Sequence, residues 1–183
     1  MNWIEWGRKL QAISQTGLHY TDNQYDIERY EQIGAIAAEI LAKQTNLSVE
    51  ELIQLNKHEF GYATPKVDVR GVVFRDEKIL LVREVADAGR WTLPGGFADV
   101  NDTPTQAVVR EVLEESGFKT KAIKLLAVYD RDQQKHTPLL PHSIYKLFFH
   151  CQIISGQPQI NHEVSEIAFL AKRKFRQNYQ LLE

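Results

Sequence analysis

The segment LPGGFADVNDTPTQAVVREVLEESGF, residues 93–118, decides the fold, because its local grammar specifies a loop followed by a helix. Thr103 is a good N-cap, with a hydroxyl that can accept from the first turn. Pro104 then falls at the first helical position, where a missing N–H costs nothing. Gln106, three residues after Thr103, can close a capping box. Gly117 can end the helix in a left-handed conformation. The predicted helix therefore spans residues 104–116. At about 100° per residue, the expected arrangement has Val108, Val109, Val112 and Leu113 on one side and Glu111, Glu114 and Glu115 on the opposite side. Arg110 stands beside the acids, one turn from Glu114. Like-charged neighbours weaken a helix. A divalent cation among them would relieve that repulsion, since Mg²⁺ takes oxygen ligands. Gly95 and Gly96 permit close approach and expose backbone groups to a cation or an anion. A solvated acidic face would explain three glutamates in isolation.

Around this helix the chain reads as strands. VDVRGVVF (67–74), KILLVRE (78–84) after a turn at Asp76, TKAIKLLAVY (120–129), residues 145–154 and residues 166–170 are each predicted to be extended. Many strands with one strong helix argue for an α/β fold with a mixed sheet flanked by helices. Upstream, residues 1–58 read as helical, with a first helix over residues 3–14. Tyr25, Ile27, Tyr30, Ile33, Ile36 and Ile40 recur at helical spacing. Ser48 and Glu51 form a second capping-box pattern, opening a helix to about Leu55. The expected domains are thus 1–58, helical, and 66–183. A unit this small rarely holds a strong core alone. Its stripe, with Trp3, Trp6 and Leu10, must pack on the second domain or on another copy, and a homodimer is expected.

Composition bounds the rest. A net charge of -2 gives no sign of broad nucleic-acid binding. The single cysteine, Cys151, excludes an intrachain disulfide and sits in an apolar strand pattern, so a buried thiol is expected. MNWIEWGRKL lacks the apolar stretch of a secretory leader. No run approaches the roughly 18 apolar residues of a membrane span, so no membrane partner is expected and the cytoplasm is the default location.

The spacing from Gly96 through Asp102, Arg110, Glu111, Val112, Glu114, Glu115 and Gly117 to Phe118 resembles the signature of the Nudix hydrolase family, with Asp102 where the family has glutamate. The resemblance implies an α/β/α sandwich and metal-dependent hydrolysis of a nucleoside diphosphate derivative. It implies that Glu111, Glu114 and Glu115, helped by the Gly95 carbonyl, ligate Mg²⁺ (or Mn²⁺ in its place), and that Arg110 orients the acids by ion pairing. Such enzymes often carry another carboxylate on a distant loop, for which Glu163 is favoured over Glu166. MNWIEWGRKLQAI, YDIERYEQI and YDRDQQKHTP are similar to a bacterial subgroup with a helical N-terminal domain, often dimeric, whose members act on ADP-ribose or CDP-choline. The tail AFLAKRKFRQNYQLLE departs from the closing amphipathic helix of that subgroup, with only Phe175, Tyr179 and Leu182 forming a partial face.

Further substrate contacts are read from residue type. Trp91 and Tyr129 can stack on a base, although Trp91 also suits the edge of a core. Arg83, Arg90 and Arg131 can meet phosphates, although each alone suits an ordinary surface. His136 and His142 lie in a polar loop that could cover a site. Two alternatives stay open: an enzyme acting on RNA ends, which needs a basic channel, and a nucleotide sensor without catalysis, which would not need all three helix glutamates.

Overall fold

A computed structural model describes residues 2–134 and 136–171. The chain forms two compact units, Met1–Lys66 with Arg131–Ser143, and Val67–Asp130 with Ile144–Glu183. The helical unit thus runs past residue 58 and takes in a segment from far along the chain. Arg8 explains the capture: it pairs with Asp132 and donates to the Leu140 carbonyl from Nε at 3.1 Å and Nη2 at 2.6 Å. Leu139 packs against the same unit's core of Ile4, Ala38, Leu41 and Leu52.

The helical unit contains α1 (Trp3–Tyr20), α2 (Gln24–Ala42) and α3 (Val49–Lys57). The capping box of α3 forms in both directions between Ser48 and Glu51. Within the unit, the buried face of α2 is not its stripe of large residues. Ala37, Ala38 and Leu41 are buried, while Tyr25 is 72% and Ile36 52% exposed. Small residues explain the difference by letting α1 and α2 approach closely. A Cβ on Gly7 would stand 2.9 Å from Leu41 Cγ, and one on Gly34 would stand 2.7 Å from Ser14 Oγ. A Cβ on Gly17 would collide with the Tyr30 ring, and α1 runs past the expected end at residue 14 to Tyr20. The large side chains are left outside. Trp3 and Trp6 meet edge to face at 5.7 Å and are 46% and 48% exposed.

The second unit is built on a mixed sheet in the order β3-β2-β1-β5-β4, with β6 also on β2. Its strands are β1 (Lys66–Arg75), β2 (Lys78–Glu84), β3 (Arg90–Thr92), β4 (Phe118–Asp130), β5 (Ile144–Gly156) and β6 (Val164–Ala171). β3 escapes sequence reading because three residues carry no period, yet it pairs antiparallel with β2 at Val82 and Thr92. The helix α4 (Pro104–Ser116) has the limits its grammar predicts. Thr103 and Gln106 close the capping box, and Gly117 ends the helix at φ 76°. Alternation along the strands gives the sheet two apolar faces. Val69, Val73, Leu80, Phe149 and Cys151 pack with Ala107, Val108 and Val112 of α4. Val72, Leu81 and Leu93 form the other cluster. Burial pushes the Cys151 thiol up to about 11, which leaves it inert at neutral pH. The tail with the partial face of Phe175, Tyr179 and Leu182 lies outside the described residues. Among those described, no helix is long and apolar enough to cross a membrane.

Candidate active site

The loop before α4 lies along β1 almost as an extra strand. Val69 N–H donates to the Gly96 carbonyl and Gly71 N–H to the Pro94 carbonyl, both at 2.8 Å, and Ala98 N–H donates to Val67 at 3.0 Å. Gly95, between these contacts, has φ 148°, and a Cβ there would collide with the Val69 carbonyl. Only glycine lets β1 and the loop approach this closely. The Gly95 N–H donates at 2.8 Å to Glu115 Oε2, and among the described residues nothing donates to the Gly95 carbonyl. Gly96 has a second reason to be glycine. A Cβ on it would stand 2.8 Å from Glu111 Oε2, so the loop backbone rests on that carboxylate.

The three glutamates are not equivalent, and the expected helical face needs correction. Glu115 is 8% exposed, on the same side as Val108 and Val112, while Leu113 is 39% exposed. Seven residues separate Val108 from Glu115, and two turns of helix bring the pair back into line. Burial pushes the Glu115 carboxyl up to about 7. The Gly95 amide and the charge of Arg70 act downward, and those of Glu111 and Glu84 upward. Burial also raises Glu111, against the pull of Arg110. Arg110 is the hub of the exposed side. Nη1 lies 2.8 Å from Glu111 Oε1 and 3.1 Å from Glu114 Oε2, Nη2 3.1 Å from Asp99, and Nε 3.2 Å from Asp102. Partial burial opposes its charge, yet the carboxylates of Asp102, Glu111 and Glu114 hold its pKa above the usual arginine value. Asp102, shorter than the glutamate of the family pattern, still reaches this arginine.

These donors are all oxygens, a set that suits a hard cation. Among the described residues no three His, Cys, Asp or Glu side chains already surround one point, because Glu111 and Glu114 each direct an oxygen at Arg110 and Glu115 directs one at Gly95. Arg110 therefore supplies the positive charge that the cluster requires.

A buried network lies next to this loop and escaped the sequence reading. Arg70 forks onto Asp68 at 2.8 and 2.7 Å and donates to the Leu93 carbonyl at 3.1 Å, while Lys146 stands 3.3 Å from Asp68. Burial works against ionising Asp68, but the two cations hold its carboxyl below the usual range. The available signal was the pair Asp68 and Arg70, two apart in a strand of valines and so on one face.

The other candidates are placed individually. Arg83 donates to the Gly89 carbonyl at 2.8 Å and pairs with Glu166, its cross-strand neighbour; Arg90 pairs with Asp87. Trp91 packs at the edge of the Val72, Leu81 and Leu93 cluster. Tyr129 meets Phe148 at 5.7 Å and is 39% exposed. Arg131 and His136 belong to the helical unit, where Arg131 donates to the Pro138 carbonyl at 2.9 Å. Glu163 is exposed, with Oε1 3.5 Å from His162 Nε2.

Glu115 generates a signed pH prediction for the metal-free protein. Its folded pKa of about 7 exceeds the ordinary 4.5, so ionisation opposes folding. Its contribution to stability is complete below pH 4.5 and is lost as the pH rises through about 7. In chelator, Glu115→Gln should match wild type in urea unfolding at low pH and gain up to about 3 kcal/mol above pH 8. Equal stabilities at pH 8 would show that burial does not disfavour the charge.

Comparison with known proteins gives the same reading as the geometry. Residues 1–55 match the UDP-X-like N-terminal oligomerisation domain of Nudix proteins, and residues 64–181 match the NUDIX domain. YjhB of Bacillus subtilis, whose name assigns it provisionally to the ADP-ribose pyrophosphatases, is 42% identical over 167 residues, covering 91% of this chain and 79% of that protein. The ADP-ribose pyrophosphatase of Methanocaldococcus jannaschii is 31% identical over 138 residues, 73% of this chain and 77% of its own length. A crystal structure of a UDP-X diphosphatase aligns with a TM-score of 0.55 at 37% identity, covering 92% of this chain and 81% of that one. The chain belongs to the Nudix hydrolase family, as a pyrophosphohydrolase with an N-terminal segment of the oligomerisation type.

Proposed function

We propose that this chain hydrolyses the pyrophosphate bond of a nucleoside diphosphate derivative, ADP-ribose first, with a divalent cation held on α4. The observation that carries the proposal is Glu115, a buried carboxylate beside Glu111 on the amide of a loop whose Gly95 carbonyl receives no hydrogen bond from the described residues. Glu111, Glu114, Glu115 and the Gly95 carbonyl would hold Mg²⁺, with Mn²⁺ as a substitute. When bound, the cation supplies polarisation of the phosphoryl oxygens and activation of water.

The chain's own residues orient the reaction. Arg110 gathers Glu111 and Glu114 and limits their rotation. The Gly95 amide fixes Glu115. Glu163, with its side chain exposed, is the proposed acceptor of a proton from the attacking water. Arg83 and Arg90 can exchange their exposed pairs for substrate phosphate at little cost. Tyr129 presents part of its ring for stacking. Arg131 and His136, in the helical unit, and Trp91, at the edge of a core cluster, remain candidate substrate contacts. ADP-ribose ranks first because two relatives are named for it, and the UDP-X diphosphatase neighbour makes a UDP-linked compound the second reading. CDP-choline, suggested by subgroup resemblance, ranks third.

We also infer a homodimer formed through the helical unit. The support is the large apolar surface left outside by α1 and α2, including Trp3, Trp6 and Ile36, each about half exposed, within a segment of the oligomerisation type. A two-fold interface would bury both copies of this surface.

Two measurements test these readings. Equal concentrations of ADP-ribose, a UDP-linked sugar, CDP-choline and ATP should be assayed with Mg²⁺, with Mn²⁺ and with excess chelator. ADP-ribose should be cleaved fastest and chelator should stop turnover. Glu114→Gln should keep the fold and lose turnover by roughly two orders of magnitude. Full turnover in chelator overturns the cation assignment, and preference for ATP overturns the substrate class. In sedimentation equilibrium at micromolar concentration the mass should be twice the 21.1 kDa of the chain, and a monomer throughout ends the dimer proposal.

A further inference from the structure

The last turn of a helix leaves carbonyls without partners. In α4 they are satisfied in three ways. Gly117 N–H takes the Leu113 carbonyl at 2.8 Å and Gln159 N–H takes that of Ser116 at 3.1 Å. The Glu114 carbonyl is taken by a side chain, Asn161 Nδ2 at 2.8 Å. The other end of that side chain is also engaged: Asn161 Oδ1 accepts from the N–H groups of Glu163 and Val164, both at 2.8 Å. Across the loop, Val85 N–H at the end of β2 donates to the Glu163 carbonyl at 2.8 Å. The backbone of Glu163 is thus held on both sides while its carboxylate remains exposed.

From this arrangement we propose that Asn161 is a positioning residue, fastening the loop that carries Glu163 to the backbone of Glu114 and so fixing where the Glu163 backbone stands relative to the C-terminal end of α4. The chemistry needs an asparagine. One short side chain must donate in one direction and accept twice in the other, and an amide does both. An aspartate would keep the two accepted bonds but turn an oxygen toward the Glu114 carbonyl. The link joins residues 47 apart in sequence, so nothing local in the chain announces it. This inference rests on the hydrolase reading and adds to it a second support for the site, besides the Gly95 loop.

A helix cap with no other role would alter stability alone, and the experiment separates the two. Wild type, Asn161→Ala, Asn161→Asp, Glu163→Gln and the double variant Asn161→Ala/Glu163→Gln are compared with ADP-ribose and Mg²⁺. Asn161→Ala should lower kcat roughly ten- to a hundredfold, as expected when a reacting group is misplaced. KM should stay within about twofold, since binding contacts are untouched. The double variant should be no slower than Glu163→Gln, because the asparagine acts through that residue. Amide hydrogen exchange at Glu163 and Val164 should accelerate in Asn161→Ala and stay protected in Asn161→Asp, whose kcat should still fall. If the alanine variant does not fold, the aspartate variant carries the kinetic test. Wild-type kcat in the variants, or losses that multiply in the double variant, overturns the positioning role and leaves the hydrolase reading standing. A wild-type chain that cleaves no nucleoside diphosphate derivative ends both.

Discussion

The hydrogen bond from the Gly95 amide to the buried carboxylate of Glu115 is the contact on which the second unit depends. It joins a loop laid along β1 to a helix packed on the sheet, at the point where both are least able to move. The loop cannot shift, because β1 takes the carbonyls on either side of Gly95. The helix cannot rotate, because Val108 and Val112 are fully buried on the face that carries Glu115. A carboxylate is thereby held where burial resists its charge and Glu111 adds to the resistance. The chain stores an electrostatic demand there, and a cation at the site would satisfy it.

Much of this was legible in residues 93–118. Capping and left-handed termination are local phenomena, so Thr103, Pro104, Gln106 and Gly117 suffice to fix the limits of α4. The spacing of Gly96, Arg110 and the glutamates identified the family for the same reason. What escaped the sequence was non-local. The unequal burial of Glu115 and Glu114 depends on which side of α4 meets the sheet. Arg70, Asp68 and Lys146 come together only after two strands pair into one sheet. The clasp of Asn161 on Glu114 joins residues 47 apart, with β4 and β5 between them. In the helical unit, close approach through Gly7, Ser14, Gly17 and Gly34 places small residues inside and leaves Trp3, Trp6 and Ile36 about half exposed.

The division of labour within the charged groups follows from burial. Arg110, partly exposed, can exchange partners among Asp99, Asp102, Glu111 and Glu114. Arg70, enclosed with Asp68, cannot, and it braces the strand that enters the glycine loop through the Leu93 carbonyl. Substrate choice depends on groups beyond this frame, which is why the family follows from the geometry more readily than the preferred nucleotide.

The central claim is that the α4 carboxylates and the Gly95 carbonyl form a divalent-cation site. Its most direct test is a crystal of the protein soaked in Mn²⁺ and measured for anomalous scattering at the manganese edge. The account predicts an anomalous peak in contact with Glu115 and at least one of Glu111 and Glu114, with their side chains drawn away from Arg110. Manganese bound elsewhere, with Arg110 still holding Glu111 and Glu114 as in the metal-free chain, would contradict it.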